Sequence, residues 1–167
     1  MDVLISCMDY RLSRYLENRA DIIIRNAGGV IYDIIEKIKS LKPDRIIYMP
    51  HSDCAAMKLA GRILNNDVEC DFDVYKHLAV HFKGVSDMER YNYEHGLSLL
   101  KEYFNNVHGE FIDTKAIEWP ARRPYYKLLK SSDKYDDLDG YYIIQAPDQS
   151  WVENDIKIAK MLGLSEK

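Results

Sequence analysis

Residues 1–54 decide the fold of this chain, and they run MDVLISCMDYRLSRYLENRADIIIRNAGGVIYDIIEKIKSLKPDRIIYMPHSDC. Three short apolar runs, at 3–6, 21–25 and 45–49, have the length and composition of buried strands. Between and after them, helical spacing or capping residues predict helices at 12–18, 30–41 and 54–64. Because strand and helix alternate, the sequence predicts an α/β fold with a mostly parallel sheet flanked by helices.

The rest of the chain is less regular. Its patterns predict an acidic spacer at 66–73, helices at 74–82 and 91–104, a loosely alternating strand at 110–119, a turn at 120–124, a charged loop at 131–139, a strand at 141–145 and an amphipathic helix at 150–162. Neither half could bury enough apolar surface alone. We therefore predict one domain over 1–167, with a motif-bearing βαβαβ core at 1–65 and a divergent part at 66–167.

Composition narrows the functional class. The chain has 167 residues, of which 47% are apolar and 30% charged, and its formal net charge is −4. These values are typical of a soluble globular protein, and they argue against a disordered chain and a basic nucleic-acid binder. No apolar run approaches the roughly 20 residues of a membrane span. Three cysteines and an N-terminus without a signal-peptide pattern predict a cytoplasmic protein with free thiols or metal ligands.

The first chemical motif is Cys7-Met8-Asp9-Tyr10-Arg11, directly after the first predicted strand. In an extended segment every second residue shares one side, so a thiolate, a carboxylate and a guanidinium would face the same space. A core cysteine followed by a surface ion pair is the alternative, and this motif alone favours it.

The second motif is His51-Ser52-Asp53-Cys54, after the third predicted strand. A histidine and a cysteine three positions apart can bind one zinc ion, and a helix N-terminus favours the thiolate form of Cys54. A loop histidine beside a small buried cysteine is the alternative.

Carboxyl ends of adjacent parallel strands meet at one edge, so Cys7, His51 and Cys54 should converge. Three protein ligands with a fourth position open are typical of catalytic zinc.

Between these motifs lies Arg25-Asn26-Ala27-Gly28, with Gly29 after it. The three segments, in this order and in this strand–helix context, resemble the signatures of the β-class carbonic anhydrases. The resemblance covers residues 1–65 and includes no signature that we can identify after residue 66. Ala55 also follows Cys54 where the family often has glycine.

The resemblance implies a zinc enzyme that hydrates carbon dioxide reversibly to bicarbonate through a zinc-bound hydroxide. It implies that Zn²⁺ is bound by Cys7, His51 and Cys54, and that Asp9 and Arg11 are catalytic. In the family, the arginine pairs with the aspartate and holds it off the metal, whereas in an inactive form the aspartate takes the fourth position.

The resemblance also implies a carbonic-anhydrase-like fold and a homo-oligomer, most simply a homodimer. A loop would line the pocket for CO₂ or bicarbonate with backbone groups, and its residues are Asn26, Ala27, Gly28 and Gly29. Two alternatives stay open. One is a carbonyl sulfide or carbon disulfide hydrolase on the same scaffold, and the other is a zinc-binding protein without turnover.

Other candidates have weaker patterns. His77 and His81 have the spacing of a helical zinc motif but lack its glutamate, so we interpret them as ordinary helix histidines. Cys70 is interpreted as a free thiol, and residues 119–123 as a surface turn.

Overall fold

Seven strands form one sheet in the computed structural model, which describes residues 1–167. They are β1 (Asp2–Cys7), β2 (Ile22–Asn26), β3 (Arg45–Met49), β4 (Val107–Gly109), β5 (Tyr125–Lys130), β6 (Tyr142–Ala146) and β7 (Ser165–Glu166). Their order across the sheet is β4-β3-β1-β2-β6-β5-β7. Only the β2–β6 pair is antiparallel. The predicted α/β class, with a mostly parallel sheet flanked by helices, is confirmed.

Six α-helices accompany the sheet. They are α1 (Ser13–Leu16), α2 (Ile35–Ser40), α3 (Ala55–Leu64), α4 (Phe72–His77), α5 (Met88–Tyr103) and α6 (Glu153–Met161). Single 3-10 turns occupy Ala79–Phe82, Thr114–Ala116 and Gln149–Trp151. None of the helices has both the length and the apolar composition needed to cross a membrane.

Two apolar cores lie on opposite faces of the sheet. Successive side chains of a strand point to opposite faces, so Leu4 of β1 packs in one core whereas Val3 and Ile5 pack in the other. Helices α3, α4 and α6 contribute to the first core, and α2 and α5 contribute to the second. Burial on both faces explains why the central strands are continuous apolar runs rather than alternating ones.

The chain order creates a crevice at one end of the sheet. Strand β1 pairs with β2 on one side and with β3 on the other. The crossover from β1 to β2 and the crossover from β2 to β3 therefore run in opposite directions across the sheet. In open α/β sheets, ligands bind at the carboxyl ends of strands beside such a switch point. Cys7 ends β1, while His51 and Cys54 follow β3.

The helix predicted at 30–41 is shorter in the structure and begins only at Ile35. Val30 packs in one core and its neighbour Ile31 in the other, so the chain passes from one face of the sheet to the other at this point. Val30 and Ile31 therefore matched the apolar spacing of a helix although they pack on opposite faces of the sheet and precede the helix.

The strand predicted at 110–119 is wrong. Only Ile112 makes an isolated bridge there, with His51, and the side chain of Asp113 accepts a hydrogen bond from Lys115 N that closes a 3-10 turn. On the side of β3 that faces away from β1, the neighbouring strand is β4, which comes slightly earlier in the chain than the predicted strand. The prediction also missed β5 and β7, whereas 141–145 corresponds to β6.

Candidate metal centre

Three metal-ligating side chains converge at the crevice. The Sγ atoms of Cys7 and Cys54 lie 4.0 Å apart, and each of these atoms is within 4.8 Å of a ring nitrogen of His51. All three residues are buried. Two thiolate sulfurs on one tetrahedral zinc ion lie about 3.8 Å apart, so the observed spacing suits a metal of that size. The predicted convergence of Cys7, His51 and Cys54 is confirmed, and the group could bind a metal ion.

The imidazole of His51 is held so that one nitrogen is available. Its Nδ1 lies 2.7 Å from the carbonyl oxygen of Ser52 and donates its hydrogen there. The Nε2 atom is buried and has no hydrogen-bond partner within the protein. An orphaned, buried ring nitrogen facing two thiols is the geometry that a metal ion satisfies, because metal-binding histidines fix their tautomer through the other nitrogen.

The two thiols of the group differ in how readily they ionise. Burial opposes ionisation of Cys7, but a hydrogen bond from Cys54 and the nearby charge of His51 outweigh it and hold the pKa of Cys7 well below its usual range. The same hydrogen bond, together with burial, raises the pKa of Cys54. The backbone N–H of Gly28 also donates to the Cys7 sulfur at 3.3 Å. Cys7 is therefore the thiol that ionises more readily, and the thiolate is the form of cysteine that binds a metal ion.

A bidentate ion pair borders the three donors. Arg11 donates from Nε to Asp9 Oδ1 at 3.0 Å and from Nη2 to Asp9 Oδ2 at 2.8 Å. Asp9 Oδ2 lies 4.0 Å from His51 Nε2. Burial opposes ionisation of Asp9, but the hydrogen bonds from Arg11 outweigh it and lower the pKa of the carboxyl. Asp9 therefore stays ionised beside the donors while Arg11 occupies both its oxygens.

A buried arginine shapes the turn that carries these residues. Arg25 is fully buried, and it donates to the carbonyl oxygens of Cys7 at 2.8 Å and Asp9 at 2.7 Å and to Ser13 Oγ at 2.7 Å. Its planar fork thus connects the end of β1 with the start of α1. This guanidinium supplies a buried donor to three acceptors of the segment bearing Cys7 and Asp9, and Asp9 O accepts a second hydrogen bond from Leu12 N at 3.1 Å.

Arg25→Met should destabilise the protein by about 2–6 kcal/mol, because Cys7 O and Ser13 Oγ lose their buried arginine donor at about 1–3 kcal/mol each, while Asp9 O keeps a second donor in Leu12 N. Urea unfolding measures the effect. Arg14→Met is the matched control, since Arg14 pairs with Asp139 at the surface and both side chains are exposed. The control should keep the parent midpoint. Equal midpoints for Arg25→Met and the parent would show that the buried fork is dispensable.

The predicted pocket loop lies against the ligands. The Asn26 amide nitrogen donates to Val30 O at 2.8 Å, and its Oδ1 is buried without a partner. Gly28 O accepts from the side chain of Asn92, and Gly29 O accepts from the hydroxyl of Tyr48. Gly28 and Gly29 adopt φ angles of 71° and 65°, which favour glycine. Of the groups of this loop, the backbone N–H of Gly28 contacts the candidate ligand Cys7. A substrate-lining role for the loop stays a prediction.

The second predicted motif is anchored by a residue that the sequence did not reveal. Glu89, in the first turn of α5, accepts hydrogen bonds from the backbone N–H groups of Asp53 at 3.0 Å and Cys54 at 2.6 Å. Cys54 is the N-cap of α3, so Glu89 satisfies an N–H group that the helix leaves unpaired. No local pattern could have identified Glu89, because it lies 35 residues after Cys54.

Aromatic residues from both halves of the chain pack around Arg11 and its neighbour Tyr10. Its guanidinium carbon lies 5.7 Å from the ring centre of Trp119, and the Tyr10 ring packs edge-on against Trp119 and tilted against Tyr142. The backbone also joins the halves, since Ile143 N donates to Met8 O at 3.0 Å. The predicted surface turn at 119–123 is exposed, but its tryptophan belongs to the surroundings of the ion pair.

The remaining candidates lie outside the cysteine–histidine group. His77 is buried in α4 and contacts two aspartates, whereas His81 lies in the following 3-10 turn and stacks on Tyr32. Cys70 is a free, half-buried cysteine, as predicted. No model of a known protein family matches the chain, and no curated protein matches it either.

Proposed function

We propose that this protein is a zinc-dependent enzyme of the β-carbonic-anhydrase type that hydrates carbon dioxide reversibly to bicarbonate. The observation that carries the proposal is the bidentate Asp9–Arg11 pair, whose carboxylate lies 4.0 Å from the free nitrogen of His51. A zinc ion that only stabilised a fold would have no need of a buried, orientated carboxylate beside its ligands. The order of the motifs and their placement at a switch point also support the carbonic-anhydrase-like fold.

Zinc is the metal that best suits the donor set. Two thiolates and one imidazole are soft or borderline donors, which favour Zn²⁺ over Mg²⁺ or Ca²⁺. Three protein donors leave a fourth tetrahedral position, and structural sites usually close all four. When bound, Zn²⁺ would supply the Lewis acidity that makes hydroxide available near neutral pH.

The protein's own residues then orientate the reaction. Asp9 is ionised and anchored, so it could accept a hydrogen bond from a hydroxyl beside His51 and would direct the lone pair of that oxygen at the carbon of CO₂. Arg11 holds the carboxylate in place through two bonds and also donates from Nη2 to the carbonyl oxygen of Asp53 at 2.7 Å. Preorganised polar groups of this kind contribute to catalysis because they need no rearrangement during the reaction.

Metal analysis together with a CO₂-hydration assay across pH tests the proposal. We expect about one zinc per chain and a hydration rate that increases with pH. Parallel assays with carbonyl sulfide and carbon disulfide separate the two hydrolase alternatives. Zinc without turnover of any of the three substrates would contradict the enzymatic proposal and support a zinc-binding protein. A chain that binds no zinc would overturn the proposal altogether.

We also propose a homodimer, as the resemblance implies. The chain's own β6 covers the outer edge of β2, so the free edges of the sheet are the three-residue β4 and the two-residue β7. A dimer contact therefore has to use helices or loops more than strand pairing. Light scattering at micromolar concentration is expected to give twice the chain mass, and a monomer would contradict this prediction.

A further inference from the structure

A largely buried network of charged groups, formed by Asp33, His77 and Asp155, lies behind the metal centre and has no part in the proposed reaction. His77 is 3% exposed, and its Nε2 lies 2.8 Å from Asp155 Oδ1 while its Nδ1 contacts Asp33 Oδ2. Burial opposes protonation of His77, but the two carboxylates outweigh it and raise its pKa to about 10. Both ring nitrogens therefore donate hydrogen bonds at neutral pH, and Asp155 is held in one position.

Asp155 connects this network of charged groups to the metal centre. The side chain is 1% exposed, and the oxygen that accepts from His77 also accepts from the backbone N–H of Ala27 at 3.0 Å. The next backbone N–H, that of Gly28, donates to the sulfur of Cys7 at 3.3 Å. Helix α6, in the divergent part of the chain, is thus linked to the candidate ligand Cys7 through two hydrogen bonds, one donated by Ala27 and one by Gly28.

The loop needs an external anchor of this kind. Gly28 and Gly29 both have positive φ, and a Gly-Gly pair loses more backbone entropy on ordering than any other dipeptide. An N–H group directed at a thiolate stabilises its charge, and such outer contacts typically change metal affinity 10- to 100-fold. Fixing the peptide that precedes Gly28 fixes the direction of its N–H.

We propose that Asp155 is a positioning residue of the metal centre, which holds the Ala27–Gly28 segment so that Gly28 donates to Cys7, while His77 and Asp33 hold Asp155. The inference rests on the metal binding in the proposed function and not on the reaction catalysed. A purely structural role for Asp155 would change the stability of the fold but leave the zinc affinity of the folded protein unaltered.

Zinc affinity of the folded protein separates these roles, and competition with a chromophoric chelator measures it. Asp155→Ala should bind Zn²⁺ about 10- to 100-fold more weakly than the parent. Asp155→Asn keeps an oxygen that accepts from Ala27, so its affinity should return close to the parent value. Lys157→Ala is the matched control on the same helix, because Lys157 contacts Asp71 at the surface, and its affinity should equal that of the parent.

A second readout follows the sulfur directly. In Co²⁺-loaded protein, loss of the Gly28 hydrogen bond should shift the thiolate charge-transfer absorption for Asp155→Ala but not for Lys157→Ala. If Asp155→Ala does not fold, Asp33→Ala replaces it, because Asp33 is partly exposed, and a smaller weakening in the same direction is expected.

Two outcomes distinguish this inference from the proposed function. Parent-like zinc affinity and an unshifted absorption band in the folded Asp155→Ala variant, or in Asp33→Ala in its place, would overturn the positioning role and leave the proposed function intact. Failure of the parent itself to bind Zn²⁺ would overturn both.

Discussion

Cys54→Ser is expected to lose most of the zinc that the parent protein carries, with an affinity loss of more than roughly 10²-fold. Losing a ligand should exceed the 10- to 100-fold effect of losing an outer contact. The substitution removes a charged sulfur donor and leaves a hydroxyl that ionises only at much higher pH, so both a bond and a negative charge disappear. Metal content after dialysis against a weak chelator measures the loss.

Cys70→Ser is the matched control for this experiment. Cys70 is also a free cysteine, but it is not one of the three donors that lie within 4.8 Å of one another. The control should retain the zinc content of the parent. Full zinc occupancy in Cys54→Ser, or an equal loss in Cys70→Ser, would remove Cys54 from the set of ligands.

Local patterns explain why the first part of the fold could be predicted. The apolar runs at 3–6, 21–25 and 45–49 correspond to β1, β2 and β3, because strands buried on both faces are recognisable without their neighbours. The strand ends then brought Cys7, His51 and Cys54 together, since parallel strands place their carboxyl ends at one edge.

The support of the site could not be predicted, because it depends on contacts between residues distant in sequence. Asp155 lies 128 residues from Ala27, and Glu89 lies 35 residues from Cys54. Each is an ordinary acidic residue in the first turn of a helix, which is where acidic residues are common for reasons of helix stability. Strand β5 was missed for a related reason: most of its residues are only half-buried, so its pattern is weak.

Arg11→Ala should retain zinc but lose about 10²-fold or more of the CO₂-hydration rate. The guanidinium now occupies both oxygens of Asp9, and its removal frees a carboxylate whose Oδ2 is 4.0 Å from His51 Nε2. A free carboxylate is a competent zinc ligand, so Asp9 would compete for the fourth position. The loss should deepen as the pH falls, because hydroxide becomes scarcer while the carboxylate remains ionised.

Asp9→Ala should lose a similar factor in rate, but by a different route. The fourth position stays open in this variant, and only the orientation of the attacking oxygen is lost, so the relative loss should be nearly constant with pH. Stopped-flow hydration rates across pH therefore separate the two variants. Lys58→Ala is the control, because Lys58 contacts Asp53, the second acidic partner of Arg11, from the surface and should leave the rate unchanged. If Arg11→Ala and Asp9→Ala both hydrate CO₂ at the parent rate, the bidentate pair is an ordinary ion pair and its catalytic role is refuted.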